Sequence, residues 1–140
     1  MVRFYDNVDD SLLKFAVIIS KYGNKFVYCK HKERDTFEVP GGHREYGESI
    51  NDTASRELKE ETGAIDFVIK PVCIYSVTSN EYFNGEETFG KLYYAEIKSF
   101  ENELHSEIEK IIFTDKMPDN LTYPDIQPVL VEEAKKRGFI

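Results

Sequence analysis

The chain has 140 residues, of which 41% are hydrophobic and 31% charged, and its formal net charge is −8 at pH 7. This composition excludes wholesale disorder, and the negative charge argues against binding along nucleic acid backbones, which needs a basic surface. The length suits one folded domain with a hydrophobic core, so we expect residues 1–140 to form a single domain.

We expect a cytoplasmic protein without a membrane partner. Residues 1–10 are polar and acidic, unlike a signal peptide, and no apolar run approaches the ~18 residues of a membrane span. Cys29 and Cys73 lie in apolar, strand-like runs, which favours reduced core thiols over catalytic ones. The histidines lack a metal-ligand spacing relative to either cysteine, so the sequence predicts no zinc site. The histidines are His31, His43 and His105.

The first half of the chain is predicted to begin with strands. Residues 15–20 and 26–30 are strand-like runs on either side of a turn at residues 22–24, and together they predict a hairpin. A short strand is expected over residues 36–39. Pro40 and the two glycines after it are expected to end that strand.

A helix is predicted over residues 49–62. Ser49 is a suitable N-cap, Asp52 completes a pair similar to a capping box, and Gly63 suits the position after the helix. Three further strand-like runs follow, at residues 67–77, 88–97 and 108–113. A last helix is predicted over residues 126–137, and this order of elements indicates an α+β or α/β sandwich.

Four glutamates lie just before the predicted helix and within it. They are Glu48, Glu57, Glu60 and Glu61. At about 100° per residue, the last three span an arc of only about 100° on one helix face. That arc overlaps the apolar stripe of the helix, which is formed by Ile50, Ala54 and Leu58. A helix that only covered a core would place its carboxylates opposite the apolar stripe.

Carboxylates crowded at the margin of a core repel one another unless a cation binds between them. Oxygen ligands of this kind suit Mg²⁺ or Mn²⁺, so the segment predicts a site for such an ion, with a solvated acidic face as the alternative. Arg56 lies close to Glu60 and within reach of Glu48, so we interpret it as a supporting residue that orients carboxylates. The turn at Gly41 and Gly42 either offers a carbonyl to the metal or only turns the chain.

The same residues resemble the signature of the Nudix hydrolases. Gly42 is followed after five residues by Glu48, and after seven more by Arg56-Glu57-Leu58. Glu60-Glu61 and Gly63 complete the pattern, and Ala64 at the final aliphatic position is a small departure. The order of elements is also similar to the family fold, an α/β/α sandwich with a mixed sheet. The resemblance implies hydrolysis of a nucleoside diphosphate linked to another group.

The resemblance also implies a role for each matching residue. Glu57, Glu60 and Glu61 match the family's catalytic, metal-binding glutamates. Gly42 matches the position whose carbonyl often joins them, and Glu48 with Arg56 matches the supporting pair. With Mg²⁺ or Mn²⁺ as the cofactor, the metal neutralises the diphosphate while water attacks a phosphorus.

The resemblance leaves the general base and the substrate contacts open. The base is either Glu57 or a glutamate on a later loop, for which Glu103 and Glu107 are candidates. Lys30 and His43 fall where the branch that sanitises oxidised nucleotides places residues near phosphates or the metal, so they are candidate substrate contacts. Three polar residues compete to read the base edge, namely Asn120, Asp125 and Gln127. Four aromatic residues are candidates to stack on a base or to pack in the core, namely Tyr5, Phe37, Tyr46 and Tyr82.

The predicted substrate is an oxidised purine nucleoside triphosphate such as 8-oxo-dGTP. Three alternatives stay open: the 5′ end of an RNA, another nucleoside diphosphate derivative, or a nucleotide-sensing module that kept the fold and lost the chemistry. The complete set of glutamates favours an enzyme over a sensing module. The protein is expected to be a monomer or a homodimer.

Overall fold

The computed structural model describes residues 1–105 and 107–140, with the side chain of Tyr82 left out of the description. The strands are β1 (Val2–Tyr5), β2 (Leu13–Tyr22), β3 (Lys25–His31), β4 (Gly41–His43), β5 (Ala64–Thr78), β6 (Glu87–Phe100) and β7 (Ile108–Thr114). The α-helices are α1 (Ile50–Thr62), the short α2 (Asn80–Phe83) and α3 (Gln127–Lys136), and a 3₁₀ turn spans Asp10–Leu12.

The seven strands form one mixed sheet. Their order is β1-β5-β6-β2-β3-β7, and β4 pairs with β2 beside this path. Strands β2 and β6 run parallel at the centre, while the other described pairings are antiparallel. The predicted sandwich with a mixed sheet is therefore confirmed, as is the hairpin formed by β2 and β3.

The sheet is covered on both faces, which explains its continuous apolar strands. On β2, Ile18 belongs to the core cluster that contains α1, whereas Ile19 belongs to the cluster that contains α3. On β6, Tyr93 and Tyr94 are divided between the two clusters in the same way. Successive side chains of a strand point to opposite faces, so a strand buried on both faces has no polar alternation.

Helix α1 forms where its capping residues predict. The Ser49 hydroxyl accepts a hydrogen bond from the Asp52 backbone N–H at 3.1 Å. At the other end, Gly63 has a φ of 77°, and its N–H donates to the carbonyl of Lys59. Only a residue without a Cβ adopts that left-handed conformation at little cost. The helix is therefore held at both ends, which fixes the direction of its glutamates.

The strand predicted over residues 36–39 is wrong. These residues make only isolated bridges, because their N–H groups bond to two separate segments, at Cys29 and at Asn120. Strand β4 forms instead at the glycines that were expected to end the strand. A Cβ on Gly41 would lie 2.6 Å from the backbone oxygen of Ala16, so the absent side chain lets β4 lie close to β2.

The sequence prediction also missed β1, which pairs with β5 at the edge of the sheet. Phe4 packs against the α3 cluster and Tyr5 against the α1 cluster, so the strand alternates between the two faces. Four residues that include an arginine are too short a pattern to separate from a polar terminus. Among the described residues, the structure contains no helix long and apolar enough to cross a membrane.

Candidate active site

Helix α1 arranges three glutamates from solvent towards the core; we call Glu57, Glu60 and Glu61 the glutamate cluster. The Glu60 side chain is 50% exposed, that of Glu57 12% and that of Glu61 8%. Glu61 is thus buried on the apolar face of the helix, as its position in the sequence predicts. Such a carboxylate is stable in the core only with partners that compensate for its lost hydration.

Strand β4 supplies the surface on which two of these carboxylates lie. A Cβ on Gly42 would lie only 2.4 Å from Cδ of Glu57, so the carboxylate occupies the space of the absent side chain. The backbone N–H of Gly41 donates to Oε1 of Glu61 at 2.8 Å. The site is therefore a set of oxygen donors against bare backbone, and this donor set fits Mg²⁺ or Mn²⁺.

Arg56 connects the glutamate cluster to the loop before the helix. Its Nε and Nη2 donate to the two carboxylate oxygens of Glu48, at 2.6 and 3.0 Å. Its Nη1 donates to Glu57 at 2.7 Å and to Glu60 at 3.3 Å. Nη2 also donates to the backbone oxygen of His43 at 2.9 Å. One guanidinium thus fixes three carboxylates and strand β4 relative to one another, as a planar fork with several donors can.

The pKa directions describe a site with surplus negative charge. Burial, followed by the charge of Glu61, raises the pKa of Glu57 to about 7, although Arg56 opposes this shift. Burial also raises the pKa of Glu61. By contrast, the hydrogen bonds from Arg56 lower the pKa of Glu48 to about 2. Arg56 therefore neutralises Glu48 more fully than the glutamate cluster, which retains charge for a bound cation.

We expect the metal-free protein to lose stability as the pH rises from 5 to 8. The pKa of Glu57, at about 7, and those of Glu61 and His31 lie above their ordinary values. In this range the folded state binds more protons than the unfolded state, so the free energy of unfolding falls as pH increases. With allowance for solvent screening, Glu57 accounts for on the order of 1–2 kcal/mol of this fall in the free energy of unfolding.

Urea unfolding at several pH values in the presence of a chelator measures this dependence. Glu57→Gln should weaken the pH dependence, because an amide has no proton to exchange in this range. Glu132→Gln, an exposed substitution on α3, should leave it unchanged. An identical dependence in Glu57→Gln and the parent protein would contradict the assignment of a raised pKa to Glu57.

A cavity of about 400 Å³ opens beside the glutamate cluster, within the size range of small-molecule sites. Its acidic end is lined by Glu38, Gly42 and Glu61, and its apolar end by Phe15, Phe83 and Leu130. The rings of Phe15 and Phe83 are stacked with 5.8 Å between their centroids. One end of the cavity is thus suited to a cation and its anionic ligand, and the other to a flat apolar group.

The structure separates the candidate substrate contacts. His43 lines the cavity, whereas Lys30 lies outside its lining, and its ammonium is 3.1 Å from the carboxylate of Glu109. The later glutamates Glu103 and Glu107 are exposed and also lie outside the lining. The geometry therefore favours a role for His43 and provides no support for the other three.

Of the three residues predicted to compete for the base edge, Gln127 alone lines the described cavity. Its Oε1 accepts a hydrogen bond from the Val39 backbone N–H at 2.9 Å. Asn120 is exposed and donates to the carbonyl of Asp35, and Asp125 is exposed as well. Gln127 is 4% exposed, and its bond to Val39 uses only the carbonyl oxygen of its amide.

The aromatic candidates are not brought together at the cavity. Tyr46 is fully exposed, and the Tyr5 hydroxyl donates to Glu87 at 2.6 Å. Phe37 packs beneath the ammonium of Lys110. The side chain of Tyr82 is outside the described part of the structure. The aromatic residues at the cavity are instead ones that the sequence did not single out, Phe15, Tyr75, Phe83 and Tyr123.

The sequence prediction also missed a set of residues behind Glu61. His31 Nε2 lies 2.6 Å from Glu61 Oε2 and 2.9 Å from Glu38 Oε1. Arg34 Nη1 donates to the other oxygen of Glu38 at 2.8 Å. Contact with the Glu61 carboxylate raises the pKa of His31, and its burial opposes that shift. The sequence does contain one signal for this set. Cys29 and His31 lie two residues apart at the end of a predicted strand, so their side chains point to the same face.

Comparisons with known proteins agree with this architecture. The family model of the NUDIX domain matches residues 12–125 of this chain. "Putative 8-oxo-dGTP diphosphatase YtkD" from Bacillus subtilis (strain 168) is 27% identical over 137 residues, which cover 91% of this chain and 84% of that protein.

Two solved structures show the same fold. The Bacillus subtilis pyrophosphohydrolase BsRppH, in a mutant form, superposes with a TM-score of 0.80 at 24% identity, covering 100% of this chain and 92% of that one. The NUDIX domain of Shewanella oneidensis NrtR, solved with ADP ribose, superposes with a TM-score of 0.68 at 17% identity. That superposition covers 94% of each chain.

Proposed function

This chain belongs to the NUDIX family and is a hydrolase of diphosphate bonds, and we propose that its substrates are purine nucleoside triphosphates, with oxidised ones such as 8-oxo-dGTP preferred. The observation that carries this proposal is the cavity between the glutamate cluster and α3, which has an acidic end, an apolar end and the amide of Gln127 in its lining. The name of the Bacillus subtilis relative, a diphosphatase of 8-oxo-dGTP, supports the same substrate class.

The glutamate cluster, with the carbonyl of Gly42, would hold the Mg²⁺ or Mn²⁺ ions. Such ions neutralise the charge of a diphosphate and stabilise the charge that develops on its bridging oxygen. We assign Glu57 as the residue that takes the proton of the attacking water. It packs against Gly42, which lines the acidic end of the cavity, and a carboxylate within reach of the attacking water can act as its general base. Glu48 and Arg56 hold Glu57 in position.

The apolar end would hold the base. Phe15 and Phe83 provide flat apolar surface, and the Gln127 amide is a hydrogen-bond donor at its edge. Oxidised guanine presents carbonyl oxygens, which are acceptors and therefore match this donor. The cavity is of a size for one nucleotide, and the net charge of −8 disfavours an extended polyanion around it.

Gln127→Glu tests the base contact with almost no change of shape. A glutamate can still accept the Val39 N–H bond, but it offers an acceptor where glutamine offers a donor. We expect the KM for 8-oxo-dGTP to increase roughly 10–100-fold with a smaller effect on kcat, as a lost hydrogen bond in a buried site predicts. Asn120→Asp, on the exposed segment before α3, is the matched control and should leave KM unchanged.

The substrate class is tested by product release from 8-oxo-dGTP, dGTP, ADP-ribose and an RNA with a 5′ triphosphate, in the presence of Mg²⁺ or Mn²⁺. We expect the highest kcat/KM with 8-oxo-dGTP. Preferential turnover of the RNA or of ADP-ribose would replace the proposed substrate while retaining the hydrolase. Nucleotide binding without turnover of any of the four would indicate a sensing module instead.

A further inference from the structure

A second group of metal-ligand side chains lies behind the glutamate cluster, and we call it the thiol–imidazole cluster. It consists of Cys29, His31, Glu38 and Glu61. One ligand atom from each residue lies within 4.8 Å of the other three. Cys29 and His31 come from β3, Glu38 from the loop before β4, and Glu61 from α1. Its chemistry differs from the oxygen-only glutamate cluster, because it adds a sulfur and a nitrogen ligand.

Both carboxylates of this cluster are oriented from outside. Gly41 N–H donates to Oε1 of Glu61, and Oε2 of Glu61 faces His31. Arg34 donates to Oε2 of Glu38, and Oε1 of Glu38 faces the same imidazole. Each carboxylate thus has one oxygen held by a donor and one directed into the cluster. This is the arrangement by which outer hydrogen bonds orient the ligands of a metal.

The imidazole is the second indication of a ligand. His31 Nε2 is buried at ion-pair distance from both carboxylates, 2.6 Å from Glu61 and 2.9 Å from Glu38, so a proton on this nitrogen lies where a cation would bind the same three groups. Cys29 is completely buried beside it, and its Sγ contacts only the carbonyl of Glu38, at 3.5 Å, among the hydrogen bonds of the described residues. A cation between these atoms would satisfy the imidazole nitrogen and both inward-facing carboxylate oxygens.

We propose that the thiol–imidazole cluster binds Zn²⁺ through Cys29, His31, Glu38 and Glu61. Thiolate and imidazole ligands favour zinc over magnesium. A tetrahedral Zn²⁺ with bonds of about 2.0–2.3 Å holds its ligands roughly 3.5 Å apart. Four atoms that already lie within 4.8 Å of one another need only small side-chain shifts to reach this geometry. On binding, the Cys29 Sγ–H proton and the proton on His31 Nε2 leave to solvent, and the sulfur and the nitrogen bond to the metal.

This site differs from the sequence prediction that the histidines and cysteines form no zinc site. That prediction considered spacing along the chain, whereas two of the four ligands reach the cluster only through the fold. Because Glu61 belongs to both clusters, zinc binding would withdraw a carboxylate from the site that holds Mg²⁺. Zinc should therefore inhibit hydrolysis, a consequence that rests on the proposed function.

The binding test does not need activity. Metal-stripped protein is titrated with Co²⁺, a spectroscopic substitute for Zn²⁺, and followed by absorption. We expect a thiolate-to-Co²⁺ charge-transfer band in the parent protein and in Cys73→Ser, in which the other buried cysteine is replaced. The band should be absent in Cys29→Ser. Added Zn²⁺ should abolish the band, and excess Mg²⁺ should not.

A second variant removes a ligand without changing the thiol. Glu38→Gln retains an oxygen for Arg34, and we expect it to weaken Zn²⁺ binding by more than about 10-fold, the lower end of the loss for a residue that merely supports a metal ligand. Unfolding measurements confirm that each variant is folded. A parent protein without the thiolate band, or a band that persists in Cys29→Ser, would overturn the zinc site. Either result would leave the hydrolase assignment intact.

Discussion

Replacing Glu57 by glutamine is expected to reduce the rate of hydrolysis by about 10² or more, as for a catalytic carboxylate. The amide retains the size of the side chain, so the packing against Gly42 is preserved. It removes a negative charge from the glutamate cluster and leaves no base for the water proton. The measurement is kcat with the preferred nucleotide at saturating Mg²⁺, so that weaker metal binding does not limit the rate.

Glu132→Gln provides the matched control, since it makes the same chemical change on an exposed position of α3. We expect its kcat to equal that of the parent protein. Circular dichroism and unfolding should show that Glu57→Gln is folded, because the variant removes a carboxylate that burial and its neighbours already disfavour. A folded Glu57→Gln protein with undiminished kcat would remove Glu57 from the mechanism, and the general base would then lie elsewhere.

Arg56→Lys is expected to lower the free energy of unfolding by about 2 kcal/mol, although the charge is conserved. The 22% exposed guanidinium makes two bonds to Glu48 and further bonds to Glu57, Glu60 and His43. An ammonium cannot reproduce a planar fork. Loss of a buried pair costs about 3–5 kcal/mol, and the partial exposure and conserved charge reduce this figure. Urea unfolding of the metal-free protein at pH 7 measures the change.

Arg137→Lys is the corresponding control, because Arg137 pairs with Glu133 one helical turn away at the end of α3. A single ion pair one turn apart on a helix contributes only about 0.3–0.5 kcal/mol. A double-mutant cycle of Arg56→Lys with Glu48→Gln should give a coupling energy of about 1 kcal/mol or more. Equal losses in the two arginine variants would show that the fork of Arg56 has no special role.

The elements with strong local signals were predicted from the sequence. Helix α1 begins and ends at residues whose side chains determine helix ends, Ser49 and Gly63. The buried position of Glu61 followed from helical periodicity alone. The hairpin of β2 and β3 and the apolar strands were identified by the same reasoning. In each of these cases, the information lies in residues only a few positions apart.

The parts that were not predicted depend on contacts between distant segments. Residues 36–39 resemble a strand, yet their N–H groups are bonded to two separate segments rather than to one ladder. Lys30 was a candidate substrate contact, but Glu109 on a neighbouring strand pairs with its ammonium. The cavity needs the start of α3 beside β4, and no local pattern specifies that approach. For the same reason, the sequence left three choices for the base contact, of which only Gln127 lines the described cavity.

The parallel pairing of β2 with β6 has a consequence for folding kinetics. The chain leaves β2 at Tyr22 and returns at Glu87, and the glutamate cluster lies within the segment between them. Closing a long loop costs entropy before the strand pairing contributes any stabilisation, so such topologies fold slowly. In the described part of the chain, strand β4 pairs with β2 alone, so the backbone surface for the carboxylates forms together with the centre of the sheet. We therefore expect metal ions to bind the native state and to stabilise it, rather than to promote its folding.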